Sequence, residues 1–188
     1  LVQTVEFSPW NLTYMVLSDV ALARWFWLFA FCGCVFEPLY YAGCNWNGAE
    51  CGDGVVPRIW RLYSSWDPLF LDMTAPSLLW LRVMCTLECV VFGPCYAAVA
   101  VGLQPFRPEG LHTPWLQPLA LLFSGALVYS TVVYFAMEVV LANSSGADMT
   151  MVFLINGPWT VIPCILAYKT ATVTPPPPPV GYPRTHPD

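Results

Sequence analysis

Three carboxylates stand inside apolar stretches of this sequence. Glu37 lies late in the first stretch, Glu88 lies well inside the second, and Glu138 lies near the end of the third. An ionisable side chain within a membrane is unfavourable unless it is paired, protonated or turned toward a polar cavity. Glu138 adjoins a polar turn, so we expect it to reach the membrane interface, as we do for Arg24 and Arg82 near the starts of their spans. Glu88 is therefore the strongest candidate for a functional acid.

An amide and an indole lie beside each other in the fourth apolar stretch. Asn156 and Trp159 are three residues apart, so a helix presents both on one face. Hydrogen bonding between helices would by itself account for such a pair. Pro94, Pro158 and Pro163 each remove a backbone donor and predict bends at membrane depth. Bends also occur merely to fit neighbouring helices, but together with the carboxylates they favour a ligand cavity.

The elements that carry these residues are predicted membrane spans. Of the 188 residues, 57% are hydrophobic and only 10% are charged, and the mean hydropathy is +0.57. Since a soluble domain carries about 25% charged residues, we predict an all-α membrane protein: a four-transmembrane-helix bundle with proline-kinked helices. Each span needs about 20 largely apolar residues, because backbone groups in hydrocarbon must pair within their own helix. Four stretches qualify, from about Val20 to Ala42, Leu78 to Leu103, Trp115 to Leu141 and Met149 to Thr172.

The chain is accordingly divided into an N-terminal segment, 1–17, the bundle, 18–172, and a proline-rich tail, 173–188. The polar loop between the first two spans holds Cys44 and Cys51, for which a disulfide and free thiols are about equally expected. Basic residues fall on both sides of the predicted bundle and lean toward termini on the cytoplasmic or matrix side. The first residue is Leu rather than Met, so either a leader was removed or the sequence is incomplete.

Composition also excludes several classes of function. A net charge of -5 with only 7 Lys and Arg excludes a basic platform for nucleic acid. His112 and His186 fall in a loop and in the tail, and the Cys32-Gly33-Cys34 segment lacks a metal-ligand spacing. We therefore expect no metal site and no cofactor.

The order of several short segments resembles a known family. Val35-Phe36-Glu37 ends in an acid, residues 63–69 (YSSWDPL) place Asp67 before Pro-Leu, and Glu88 stands six residues before Pro94. Tyr134-Phe135 is followed by Glu138 in the third span, and residues 153–166 read FLINGPWTVIPCIL. In this order they resemble the EXPERA superfamily, in its sterol Δ8-Δ7 isomerase (emopamil-binding protein) and sigma-2 receptor branches. The resemblance covers approximately residues 18 to 172.

The resemblance implies a sterol-shaped cavity that opens to the membrane, in which carboxylates and an indole face stabilise positive charge. The isomerase branch has a histidine one turn before its first-span acid, where this sequence has Gly33. The second-span acid of that branch lies one turn earlier than Glu88, near Cys85. Loss of a positioned proton donor lowers a rate by roughly 10²–10⁴-fold, so we assign no catalytic residue. The resemblance implies that Asp67 orients or caps the pocket and that it is lined by Glu37, Glu88, Tyr134, Asn156 and Trp159.

Three functions are compatible with these observations. One is a non-catalytic protein that binds a sterol or another membrane lipid. Another, the least favoured, is an active isomerase. The remaining one is a structural subunit of a large membrane complex, bound to other subunits or to a second copy of itself. The tail favours it, since residues 174–179 (TPPPPP) favour an extended polyproline II segment, which a partner subunit would hold. The tail also carries no basic retrieval signal, so the mitochondrial inner membrane is as credible as the endoplasmic reticulum.

Overall fold

The computed structural model describes residues 18–104 and 110–172, with the backbone alone for 142–145. The N-terminal segment and the proline-rich tail therefore lie outside the described residues. Within the described ranges the chain is helical and forms no strand. Four helical stretches are long and apolar enough to cross a membrane, which confirms the all-α, four-span fold. We name them span 1 (Asp19–Cys44), span 2 (Pro76–Gly102), span 3 (Leu116–Leu141) and span 4 (Met149–Thr172).

Helices α1 to α8 make up the spans and the loop between spans 1 and 2. Their bounds are α1 Asp19–Phe31, π turn Cys32–Phe36, α2 Glu37–Cys44, α3 Val55–Ser64, α4 Leu79–Leu87, π turn Glu88–Phe92, α5 Gly93–Gly102, α6 Leu116–Ser145, α7 Met149–Asn156 and α8 Pro158–Thr172. Spans 1 and 2 each contain one π-helical turn, and span 4 breaks at Gly157, between α7 and α8. Helix α3 lies in the loop, and helix α6 extends past the end of span 3. Short 3₁₀ turns lie at Pro68–Phe70, Pro76–Leu78 and Gly110–His112.

Prolines lie where the helices change. Pro94 is the second residue of α5, directly after a π turn, and Pro158 is the first residue of α8. A proline is tolerated in the first turn of a helix because its missing N–H has no intrahelical acceptor there. Helix α8 runs through Pro163. Irregular backbone thus accompanies two of the three predicted bends, and the proline kinks themselves stay a prediction.

Spans 1 and 2 approach each other most closely at their π turns. A Cβ added to Gly93 would lie 2.7 Å from Cys34 Sγ and 3.1 Å from the carbonyl carbon of Gly33. A side chain at either glycine would therefore push the two backbones apart. Span 1 packs extensively on α5 of span 2, and span 3 packs extensively on α8 of span 4, whereas spans 1 and 4 touch at only a few positions. The contacts that do join spans 1 and 4 include the stacked rings of Phe29 and Trp159 and an ion pair between Lys169 and Asp19.

The loop after span 1 is tied to the bundle at its base. Cys44 and Cys51 form a disulfide with their Cα atoms 4.7 Å apart, which decides between the two states left open by the sequence. Arg61 of α3 donates a hydrogen bond to the carbonyl of Cys51 at 3.0 Å. The indole of Trp60 donates to the carbonyl of Phe70 at 3.0 Å. Helix α3 is thereby held over the end of the bundle.

Candidate functional site

A cavity of about 120 Å³ lies among the four spans below the loop. Leu81, Leu127 and Phe70 give it an apolar wall. Among the described residues that line it, no side chain is cationic. Of the six residues for which the sequence predicts a binding role, the cavity brings five together: Glu37, Glu88, Tyr134, Asn156 and Trp159.

A second cavity of about 330 Å³ lies at the seam between spans 1 and 4, beneath α3. It shares Glu37, Phe70, Asn156 and Trp159 with the first cavity, so these side chains lie between the two. Trp25 and Leu28 line it and are exposed on the outside of the bundle. The second cavity thus reaches from the outer surface of span 1 to the side chain of Glu37.

The two glutamates of the cavity have few hydrogen-bond partners. The hydroxyl of Tyr41 donates to Glu37 Oε2 at 3.4 Å, and the thiol of Cys89 lies 3.9 Å from the same oxygen. Glu88 Oε1 is buried and has no hydrogen-bond partner among the described residues. The hydroxyl of Tyr96 interacts with the Glu88 carboxylate, although it does not meet the geometry of a hydrogen bond to Oε1. A buried acid oxygen without a partner is unfavourable, so a donor or a cation from a ligand would stabilise it.

Gly33 is the position at which the resemblance predicts the histidine of the isomerase branch, and it has little room for a side chain. A Cβ on Gly33 would lie 3.2 Å from the Glu88 carbonyl oxygen, 3.2 Å from Gly93 Cα and 3.6 Å from Glu88 Oε1. An imidazole is much larger than a methyl group, so it would force spans 1 and 2 apart. The close contact at the π turns therefore disfavours a large side chain at this position.

Asp67 lies behind the cavity wall rather than in it, and it is fully buried. Its Oδ2 accepts hydrogen bonds from the hydroxyl of Tyr134, which lines the cavity, and from that of Tyr63 at 3.3 Å. The amide of Asn156 donates to the Tyr63 hydroxyl at 3.2 Å and to the carbonyl of Val152 at 3.0 Å. The loop, span 3 and span 4 are joined by this network.

Burial changes the titration of the loop residues in this network. It raises the pKa of Asp67 above the ordinary range, and the two tyrosine hydroxyls and the Leu69 amide reduce that rise by donating to the carboxylate. Burial also raises the pKa of Tyr63 well above its ordinary value, and the neighbouring Asp67 adds to this rise. Both groups therefore favour their neutral forms more than they do in water.

The expectation that Glu138 reaches the membrane interface is wrong. Its side chain is 0% exposed, and neither carboxylate oxygen has a hydrogen-bond partner among the described residues. Helix α6 continues to Ser145, beyond the predicted polar turn, so Glu138 lies one turn after Tyr134 on the inward face of the helix. The error came from treating the polar residues after position 141 as the end of the helix.

Trp159 presents less of its indole ring to a ligand than the resemblance implied. Its indole stacks on Phe29 with ring centroids 3.9 Å apart and planes inclined by 23°. One indole face is thus covered, and a ligand cation would meet the other face or the edge.

Two hydroxyl donors to the acids were missed at the sequence level. Tyr41 lies four residues after Glu37, and Tyr63 lies four residues before Asp67. Residues four apart lie on the same side of a helix or an irregular turn of similar pitch. That spacing was visible in the sequence and was the signal for both donors.

The sequence profile of EXPERA (EXPanded EBP superfamily) matches residues 55–170. The chain belongs to the EXPERA superfamily. The match covers Asp67, Glu88, Tyr134 and the fourth-span pair, whereas Glu37 in span 1 lies outside it. No curated protein and no solved structure matches the chain. Family membership and the four spans make it an integral membrane protein of the emopamil-binding protein type.

Proposed function

We propose that this EXPERA protein binds a sterol-type or cationic amphiphile of the membrane in the cavity between its spans, and that it does not isomerise the ligand. The observation that carries the proposal is the Glu88 carboxylate, whose buried Oε1 has no hydrogen-bond partner among the described residues and which shares a cavity with Glu37. Two buried acids beside a cavity lined by no described cation favour a ligand that brings a cation or a hydrogen-bond donor.

The rest of the cavity specifies the shape of the ligand. Phe70 and Trp159 line both cavities, and their rings offer a flat apolar body a surface beside the acids. Asn156 lines both cavities as well and supplies an amide beside the acids. These features suit an amphiphile with one polar or cationic end and a rigid apolar body.

One feature supports binding without isomerisation. Protonation of a sterol double bond needs a donor held against the reacting carbon. The resemblance places the isomerase histidine at Gly33, where neighbouring backbone leaves little space for a side chain. The cavity acids that remain stabilise positive charge but lack that partner.

The binding experiment uses the purified full chain and a radiolabelled tertiary-amine amphiphile, with a radiolabelled sterol in a parallel series. We expect Glu88→Gln to weaken amine binding by roughly 30-fold or more, the equivalent of about 2 kcal/mol for a buried charge pair. Asp72→Asn is the control, because Asp72 is exposed and is not among the residues that line the cavity. Absence of binding in the unmodified protein, or equal binding by Glu88→Gln, would refute the proposal.

A separate measurement addresses catalysis. Expression in yeast that lacks its own Δ8-Δ7 isomerase is expected to leave the Δ8 sterol unconverted. Conversion at ordinary expression levels would establish an active isomerase and overturn the non-catalytic half of the proposal, while binding at Glu88 would stand.

The alternative of a structural subunit rests on the proline-rich tail, residues 174–179, which lie outside the described residues. It makes a different prediction about size. Migration on a blue native gel with a large assembly of the mitochondrial inner membrane would favour this alternative, and migration as a monomer or dimer from the endoplasmic reticulum would count against it.

A further inference from the structure

A groove of about 380 Å³ lies between spans 1 and 2, separate from the cavity described above. Tyr41 lines both, so its ring is the wall between them. We call this feature the span 1–2 groove, and its other lining residues are Pro38, Ala42, Asn45, Trp46, Thr86 and Cys89.

The groove runs along the helices. Pro38, Ala42 and Asn45 are spaced by four and three residues, which is one stripe of span 1, and Thr86 and Cys89 form a matching stripe on span 2. Seven residues of helix rise by about 10 Å. The lining of the groove thus follows span 1 from the loop end of the bundle to the level of Glu37.

The backbone at the mouth of the groove has an unusual conformation. Asn45 and Trp46 have φ angles of 46° and 65°, in the left-handed region that bulky side chains rarely adopt. The Trp46 carbonyl accepts a hydrogen bond from the Met73 amide at 2.9 Å, and its indole stacks on Tyr41 at 4.2 Å. An indole at the end of a span is at the depth where tryptophan contacts lipid headgroups and glycerol.

The groove is continuous with the lipid-facing surface of the bundle. Leu39 of span 1 and Val90 of span 2 flank it and are exposed to 58% and 69%. No charged side chain is among the described residues that line it. Its occupant must therefore be long, narrow and mainly apolar, with a polar end at the mouth.

We propose that the span 1–2 groove binds one phospholipid of the surrounding bilayer, with an acyl chain along Pro38 and Cys89 and the ester region at Asn45 and Trp46. The site goes beyond the proposed function, because it lies on the opposite side of Tyr41 from the amphiphile cavity.

The test uses the full chain in nanodiscs of phosphatidylcholine that contain a small fraction of phosphatidylcholine with a diazirine in mid-chain. Crosslinked residues are mapped by mass spectrometry after photolysis. Ala42→Phe fills the groove from an exposed position, and Val140→Phe adds comparable bulk at a lipid-facing position of span 3. We expect crosslinks to concentrate on residues 38–46 and 86–89, to fall several-fold in Ala42→Phe and to be unchanged in Val140→Phe.

Equal labelling of the groove and of span 3, or undiminished groove labelling in Ala42→Phe, would overturn the proposal. If Ala42→Phe does not fold, Thr86→Phe fills the groove from the other side, since Thr86 is also exposed. Amine binding is measured on the same samples. Loss of groove labelling with amine binding retained separates this site from the cavity, and failure of amine binding in the unmodified protein leaves the groove result intact.

Discussion

Asp67 and Glu88 are both acids beside the same cavity, yet their surroundings differ. Asp67 is fully buried and accepts hydrogen bonds from two tyrosine hydroxyls that come from the loop and from span 3. Glu88 Oε1 is buried and accepts none from the described residues, and Asp67 has one such oxygen as well, Oδ1. An acid oxygen that accepts hydrogen bonds from distant segments stabilises the fold, whereas a buried oxygen without a hydrogen bond favours a ligand that supplies one. On our proposal the two acids therefore have different roles.

The backbone conformation around these two acids also differs. Asp67 precedes a 3₁₀ turn in the loop, outside the spans. Glu88 is the first residue of a π turn within span 2. Single π turns within helices often occur at functional sites, because one extra residue changes the direction of the side chains around it. The irregularity at Glu88 therefore agrees with a binding role, and the predictions below separate the two acids.

The largest expected effect is on stability after removal of Asp67. Asp67→Ala leaves the hydroxyls of Tyr63 and Tyr134 without their acceptor, so we expect the free energy of unfolding to fall by about 3 kcal/mol. Glu88→Gln is expected to leave the free energy of unfolding nearly unchanged, because its Oε1 has no hydrogen bond to lose. Unfolding in mixed micelles with increasing SDS measures both. An equal loss for the two variants would remove the distinction.

A second prediction concerns the contact that adjoins Glu88. Gly93→Ala places a Cβ 2.7 Å from Cys34 Sγ, so we expect a loss of about 2 kcal/mol in the free energy of unfolding. Gly43→Ala is the matched control, since nothing lies within 4 Å of its added Cβ. There, better helix propensity is expected to raise stability by up to about 1 kcal/mol. Identical behaviour of the two variants would show that the spans do not meet at Gly93.

Removal of single hydroxyls should have smaller effects. Tyr134→Phe is expected to lower the free energy of unfolding by about 1 kcal/mol, because it removes one hydrogen bond to Asp67. Tyr41→Phe should change it less, since its 3.4 Å contact with Glu37 is long. A double-mutant cycle of Tyr134→Phe with Asp67→Ala measures the coupling. Additive effects in that cycle would contradict a direct interaction.

The smallest effect is the dependence of stability on pH. Because the pKa of folded Asp67 is raised above the ordinary 3.8, its contribution is fully present below that value and is lost as pH rises through the folded pKa. Asp67→Asn should remove this part of the slope. The contribution of Asp72 to stability depends on pH in the opposite direction. Hydrogen bonds from the Thr74 hydroxyl and amide lower the pKa of Asp72, so its contribution is lost as pH falls. Unfolding curves over a pH series would contradict the assignment if Asp67→Asn left the slope unchanged.

The sequence was sufficient to predict the spans and most of the cavity lining. The length of each apolar run predicted the four spans to within about two residues at each end, because backbone in hydrocarbon must form helix. Because acids are rare in such runs, Glu37 and Glu88 could be recognised from the sequence as candidate binding residues. The burial of Glu138 was not predictable in this way, since it depends on how far α6 continues past its apolar run.

Composition and the order of motifs by themselves determined that this chain is a four-span membrane protein of the EXPERA type, because both are properties of the chain read along its length. Only the tertiary structure decided which acid is paired. The hydroxyls around Asp67 come from segments far apart in the sequence, and the close approach at Gly33 and Gly93 depends on the rotation of two helices. That rotation is set by packing and by π turns, which no local pattern of residues specifies.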